Sequence, residues 1–197
     1  MMEFLLTPFS KPTNHFALWE NAFNPAELDF LQKKAASANH IATVSGRNGE
    51  GVQSNDIRRS QTDWIKYNSE FDWIFRKLSD VVSSLNVEFF NFDLTGFGEP
   101  IQLANYDHTV QGTYGWHLDY GTPFGPSRKL SLVLQLSDPS EYEGGNLQLL
   151  VGSAPKTIKK QRGLIVAFPS YTLHQVTPVT QGSRQSLVVW ISGPPYK

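Results

Sequence analysis

The sequence predicts a mainly β protein with a helical flank, and three observations predict it. From Val87 onward, short runs rich in β-branched and aromatic residues are separated by Gly, Pro, Asn or Asp, with no helical stretch between them. Such a pattern means an antiparallel sandwich, barrel or jelly roll. Before Val87, two stretches carry helical periodicity instead. A length of 197 residues with 40% hydrophobic and 13% aromatic content suits one domain with a sizeable core. The expected organisation is a single domain over 1–197, with a helical flank and lid loop over 1–86 and the β core over 87–197.

In the flank, Asn24-Pro25-Ala26-Glu27 supplies an N-cap residue, a first-turn proline and an acid at the third helical position. Leu28, Leu31 and Ala35 then share one face. The polar, glycine-rich stretch Ser45 to Gly51 reads as a flexible loop and hence a lid candidate. Phe71, Phe75, Leu78, Val82 and Leu85 recur at helical spacing, which predicts a second helix from about Ser69 to Leu85 ended by Asn86. Strands are expected near Val87 to Asp93, Ile101 to Tyr106, Tyr114 to Asp119, Lys129 to Ser137 and Asn146 to Val151. Four more follow near Thr157 to Lys160, Gly163 to Phe168, Leu173 to Val176 and Arg184 to Ser192.

Composition excludes several functions. Lys+Arg 17 against Asp+Glu 18 gives a net charge of -1, so no field favours a polyanion such as nucleic acid. With Cys 0, disulfide frameworks, Cys-ligated zinc, iron-sulfur clusters and thiol nucleophiles are removed together, and any metal site must use His and carboxylates. The opening Met1 to Pro8 has an acid where a signal peptide wants a base, and its apolar run is too short to span a bilayer. The expectation is a soluble, cytoplasmic protein without a membrane segment.

His117-Leu118-Asp119 places an imidazole and a carboxylate at i and i+2, on one face of a strand. His174 follows Asp119 after 54 intervening residues, on another predicted strand. Two histidines and one carboxylate form a facial triad, which suits non-haem Fe(II) and leaves positions open for other ligands. A bare H-x-D arises by chance in many proteins, so its context matters. That context is Tyr106 and Tyr114, then Trp116 to Asp119, then Glu141 to Leu147, then His174 to Arg184.

In that ordered combination the sequence resembles the 2-oxoglutarate and Fe(II)-dependent oxygenases of the prolyl 4-hydroxylase-like type, most closely the PKHD-type hydroxylases. The resemblance runs from roughly the Asn24 helix to the C-terminus. It implies a double-stranded β-helix (jelly roll) with the N-terminal helices packed outside. It implies His117, Asp119 and His174 as metal ligands and catalytic residues, with Arg184 holding the distal carboxylate of 2-oxoglutarate. That role suits a planar guanidinium. Tyr106 is similar to the family tyrosine that gives a hydroxyl to the same co-substrate, at a spacing about one residue longer.

The implied activity is hydroxylation of a prolyl or similar residue in a peptide or protein, using O2 and converting 2-oxoglutarate to succinate and CO2. L-ascorbate is a candidate reductant. The alternatives are the same chemistry on a small molecule, free amino acid or nucleobase, or a non-catalytic jelly-roll binding module. If Arg184 points inward, Ser186, Val188 and Trp190 follow on the same side, and Trp190 walls the site. In the strand after the H-x-D motif, Leu132 to Leu136 offers only Gln135 as a polar group where many relatives carry an aromatic or hydroxyl.

Other polar residues take structural readings. Tyr114 and Trp116 are read as packing, with Trp116 facing away from the metal into the core. His15, His40 and His108 have no partner at ligand spacing. Arg58-Arg59, after the glycine-rich loop, could read an acidic or carbonyl-rich substrate, but paired arginines are usually a solvated face, and that is the reading taken. Lys156, Lys159, Lys160 and Arg162 read as solubilising charges, and Gly144-Gly145 as a turn that needs glycine backbone geometry.

Overall fold

The computed structural model describes residues 14–45, 50–121 and 127–195. Two helices are present, α1 (Pro25–Ala36) and α2 (Asp72–Leu85). In chain order the strands are β1 (Ala17–Trp19), β2 (His40–Ile41), β3 (Val44–Ser45), β4 (Gly51–Val52), β5 (Arg58–Arg59), β6 (Gln61–Ile65), β7 (Gly96–Phe97) and β8 (Ile101–Asp107). They continue as β9 (Thr113–His117), β10 (Arg128–Gln135), β11 (Tyr142–Gly144), β12 (Leu147–Val151), β13 (Ala154–Thr157), β14 (Ile165–Pro169), β15 (His174–Val176) and β16 (Val179–Ser192).

The major sheet runs β1-β14-β10-β16-β8-β6-β2, with β7 and β11 also paired to β16, and the minor sheet runs β13-β12-β15-β9-β5. Every pairing in both is antiparallel. Strand alternation builds two cores from the same strands. Leu130, Leu132 and Leu134 of β10, with Leu103, Leu187 and Val189, face the helices, where Leu31, Leu78 and Leu85 are fully buried. Val133, Ala104, Tyr106 and Phe168 face the other way and pack on Leu147, Leu149 and Val176 of the minor sheet. The helices therefore stiffen the outer face of the major sheet and leave the gap between sheets for the site.

α1 begins as the sequence requires. Asn24 Oδ1 accepts from the Glu27 N–H and the Glu27 carboxylate accepts from the Asn24 N–H, and Leu28, Leu31 and Ala35 are its buried face. α2 starts three residues later than expected. Asn86 does not end it, because the chain continues through a π-helical turn over Asn86–Phe90 and stops at Asn91, whose φ is 51°. The strand expected over Val87 to Asp93 is thus replaced by that turn. The turn buries Phe90 and lets the Asn86 side chain bond both backbone groups of Phe92.

The stretch expected to be helical with linkers also supplies strands, including β5 and β6, which join the minor and major sheets. These are too short or too irregular to read locally; long-range pairing makes them. The strand expected over Thr157 to Lys160 lies earlier, as β13. Thr180 to Ser183 are part of β16, and the reversal after β15 falls at Thr177-Pro178. The expected Ser45 to Gly51 loop belongs to the β3–β4 hairpin, and residues 46–49 lie outside the described residues, as does Met1 to Pro8. Among the described residues, no helix is long and apolar enough to cross a membrane.

Candidate metal centre and co-substrate pocket

β9 and β15 pair so that His117 stands directly opposite His174, with ring centroids 4.0 Å apart. β9 stops at His117, so Asp119 is not on the strand as expected. It lies on the following loop, pinned by its backbone N–H donating to the Ser170 carbonyl at 2.9 Å. The carboxylate still arrives: His117 Nε2 is 3.6 Å from Asp119 Oδ1, and His174 Nε2 is 3.4 Å from Asp119 Oδ2. One ligand atom from each residue lies within 4.8 Å of the others.

Hydrogen bonding fixes which nitrogens face inward. His117 Nδ1 sits 2.8 Å from the Gly115 carbonyl and His174 Nδ1 sits 2.9 Å from the Thr172 carbonyl. A carbonyl only accepts, so both Nδ1 atoms carry a proton, and each ring in its neutral form then offers Nε2 as the ligand atom. Burial, and then the neighbouring His174, push the His117 pKa down to about 3, so this ring is neutral at pH 7. Burial opposes ionisation of Asp119, but His174 and His117 together outweigh it and hold its carboxyl below the usual range.

Asp119 Oδ2 is buried and makes no hydrogen bond. Imidazole nitrogens thus face carboxylate oxygens at 3.4 to 3.6 Å in a largely buried site. A cation between them would meet all three groups, and a donor set of two imidazoles and a carboxylate suits a divalent first-row metal.

Arg184 occupies the other end of the cavity. β16 pairs β8 with Arg184 opposite Tyr106, and the guanidinium carbon lies 5.4 Å from the Tyr106 ring. Arg184 is 2% exposed; its Nη1 donates to Ser186 Oγ at 3.2 Å, while its Nη2 has no partner. A buried guanidinium with an idle donor is costly unless an anion completes it. Alternation along β16 carries Ser186, Val188 and Trp190 into the same cavity as His117, Asp119 and His174. Gln135 is turned elsewhere, donating to the Lys159 carbonyl.

Two residues read as structural belong here. Tyr114 stacks on His117, and Arg58 is buried at the pocket mouth with its guanidinium carbon 4.5 Å from the Tyr114 ring. Arg58 is no solvated face: strand pairing of β5 with β9 turns it inward, whereas Arg59 caps the carbonyls of Asn55, Val110 and Gln111. Trp116 does face away from the metal, but it is 39% exposed and fills no core. The signal for Arg58 lay in its nearness to a strand; nothing in an Arg-Arg doublet says which partner faces in.

Residues 101–192 match the profile of the 2OG-Fe(II) oxygenase superfamily. The chain is 28% identical over 179 residues to a PKHD-type hydroxylase of Paraburkholderia phytofirmans, covering 87% of this chain and 75% of that protein. It is 38% identical over 85 residues to a PKHD-type hydroxylase of Teredinibacter turnerae, covering 41% of this chain and only 38% of that one. A Pseudomonas putida prolyl-4-hydroxylase superposes with a TM-score of 0.69 at 21% identity, over 92% of this chain and 94% of the other. A Trichoplax adhaerens prolyl hydroxylase, solved with a peptide fragment of hypoxia inducible factor, gives 0.71 at 18% identity over 92% and 84%.

The chain is similar to the 2OG-Fe(II) oxygenase superfamily over residues 101–192 and to the PKHD-type hydroxylases over most of its length. Its fold is the jelly roll of the prolyl hydroxylases. That similarity implies Fe(II) and 2-oxoglutarate, and the chain has residues that fit both. The unpartnered Asp119 Oδ2 between two imidazole nitrogens suits the metal, and the unpartnered Arg184 Nη2 suits a carboxylate.

Proposed function

We propose that this protein is an Fe(II)- and 2-oxoglutarate-dependent dioxygenase that hydroxylates a prolyl or similar residue of a peptide or protein. The observation that carries the reading is the pair of unmet buried groups in one cavity, Asp119 Oδ2 among the imidazoles and Arg184 Nη2 beyond them. His117, Asp119 and His174 would hold the iron, and Arg184 would take the distal carboxylate of 2-oxoglutarate, with Tyr106 beside it. When bound, the metal and co-substrate supply O2-dependent decarboxylation to succinate and CO2 and insertion of the second oxygen atom into a substrate C–H bond.

The chain's own contribution is to place, orient and dry. Backbone carbonyls lock both imidazoles in the metal-facing tautomer. Val133, Val188 and Trp190 wall the cavity with apolar surface, which keeps water from competing at the reacting centre. Peptide use is supported by the peptide held by the Trichoplax neighbour, which is a property of that protein.

The test is anaerobic Fe(II) binding followed by O2-dependent formation of succinate from 2-oxoglutarate, with proline-containing peptides screened for gain of one oxygen. Binding and turnover are expected in the wild type and neither in His174→Ala. A wild-type protein that neither binds Fe(II) nor consumes 2-oxoglutarate would be a binding module on the same scaffold.

A further inference from the structure

Beside the metal centre, a groove continues from the cavity to the surface between Trp64, Trp190, Tyr114 and Arg128, and Arg58 lines both spaces. Arg58 is 6% exposed. Its Nε donates to Ser60 Oγ at 2.9 Å and its Nη2 to Gln102 Oε1 at 2.8 Å. Both partners are neutral, and Nη1 makes no hydrogen bond among the described residues. The other guanidinium of the groove is already neutralised: Arg128 holds both Glu99 carboxylate oxygens and lies 3.9 Å over the Trp190 ring. Glu50, on the exposed rim, and Asp119, whose carboxylate faces His117 and His174, line the groove too.

Charge balance then singles out one residue. With iron and 2-oxoglutarate in place, the two positive charges of the metal offset the two negative charges of the co-substrate, and Asp119 offsets Arg184. Arg58 is left as a buried, uncompensated cation, held by two neutral hydrogen bonds and the Tyr114 ring. Such a group is costly without an anion, and a guanidinium fork selects carboxylates. Its Nη1 donor is the part left to meet one. Only the Tyr114 ring separates this guanidinium from the His117 imidazole.

We infer that Arg58 is a substrate-binding residue for a carboxylate, so that the preferred substrate carries its free carboxylate close to the hydroxylated carbon. This rests on the dioxygenase reading above and narrows it: a free imino acid or a C-terminal residue fits, and an internal prolyl residue leaves Arg58 unmet. Trp64 and Trp190, with ring centroids 6.2 Å apart, line the same groove and give the apolar part of the substrate a surface.

The test titrates L-proline, N-acetyl-L-proline and N-acetyl-L-prolinamide calorimetrically into the Fe(II)- and 2-oxoglutarate-loaded protein without O2. At least one acid is expected to bind about tenfold or more tightly than the amide, since a charge-assisted fork is lost with the amide. L-proline and N-acetyl-L-proline separate a free imino acid from a chain terminus. Arg58→Gln is expected to erase the preference and Arg58→Lys to keep part of it, with thermal melts showing that both variants fold. Equal binding of acid and amide, binding by none of the acids, or a preference that survives Arg58→Gln would overturn the inference. If the wild type still turns 2-oxoglutarate into succinate in that case, the dioxygenase reading stands; if it does not, both fall.

Discussion

Tyr114 and His117 stack face to face, with ring centroids 3.4 Å apart and planes 12° from parallel, although they lie three positions apart on one strand. Regular alternation would put them on opposite faces. The register explains the exception: His174 pairs with His117 and Val176 with Tyr114, so β9 carries one residue more than β15 between these pairs. This bulge around Gly115-Trp116 re-aims Tyr114 into the pocket and Trp116 out toward solvent. A metal-facing imidazole is thereby held by a carbonyl at Nδ1 and by an aromatic plane across its face.

The stack should tune metal affinity. Aromatic pairs contribute about 0.5–1.5 kcal/mol beyond their buried area, and groups that orient a metal-bound histidine cost about 10–100-fold in affinity when lost. Tyr114→Leu should weaken Co(II) or Zn(II) binding by roughly tenfold on that scale, while Tyr114→Phe, which keeps the plane, should change it little. Competition against a chelator checks this. Equal losses in both variants would assign the effect to the hydroxyl instead.

Arg184 should act on the co-substrate and not on the metal. Hydrogen bonds to charged groups contribute about 1.5–3 kcal/mol each, so Arg184→Ala should raise the 2-oxoglutarate Kd by at least roughly tenfold. Metal affinity should stay within a few-fold. Arg184→Lys keeps charge and loses the fork, so it should fall between. A 2-oxoglutarate titration monitored calorimetrically on metal-loaded protein reads all three.

The ease with which this site is read from sequence differs by residue. His117, Asp119 and His174 are legible because rare residue types at a strand's period carry their own chemistry, and Arg184 because it follows His174 at family spacing. Tyr114 is not, because a bulge breaks the period on which the reading depends. Arg58 is not, because an Arg-Arg doublet looks the same whether one side chain is buried or both are solvated; only the β5–β9 pairing decides. The same limit governs the fold. The α1 cap and the β10 and β16 alternation are local signals, whereas the run from Val87 to Phe92 is rich in Phe without a clear period and gives no hint of a π-helical turn.

Gly182 should be among the least replaceable backbone positions. It has φ +67° within β16, and a Cβ there would lie 1.9 Å from the Glu141 carbonyl oxygen. Gly182→Ala therefore combines left-handed strain, worth about 1–3 kcal/mol, with a clash that β11 must move to relieve. Because β11 pairs with β16 here and Arg184 follows two residues on, the urea midpoint should fall and 2-oxoglutarate affinity should fall with it. Gly152 also has a positive φ, +75°, but a Cβ there meets nothing within 4 Å, so Gly152→Ala should cost the strain alone.

Asp107 should govern part of the acid limb of stability. Its carboxylate accepts from Ser183 Oγ and from the N–H and hydroxyl of Thr109, and these bonds, Ser183 first, hold its pKa below the usual aspartate value. A depressed folded pKa means that the unfolded chain binds the proton more readily. The contribution is therefore fully present above the unfolded value of about 3.9 and is lost as pH falls through the lower folded value. Asp107→Asn should lower the urea midpoint at pH 7, and the gap to wild type should close as the pH falls below about 3.9. Urea melts of both proteins across that range test the sign: a gap that is constant with pH would mean that Asp107 stabilises through shape alone, without its charge.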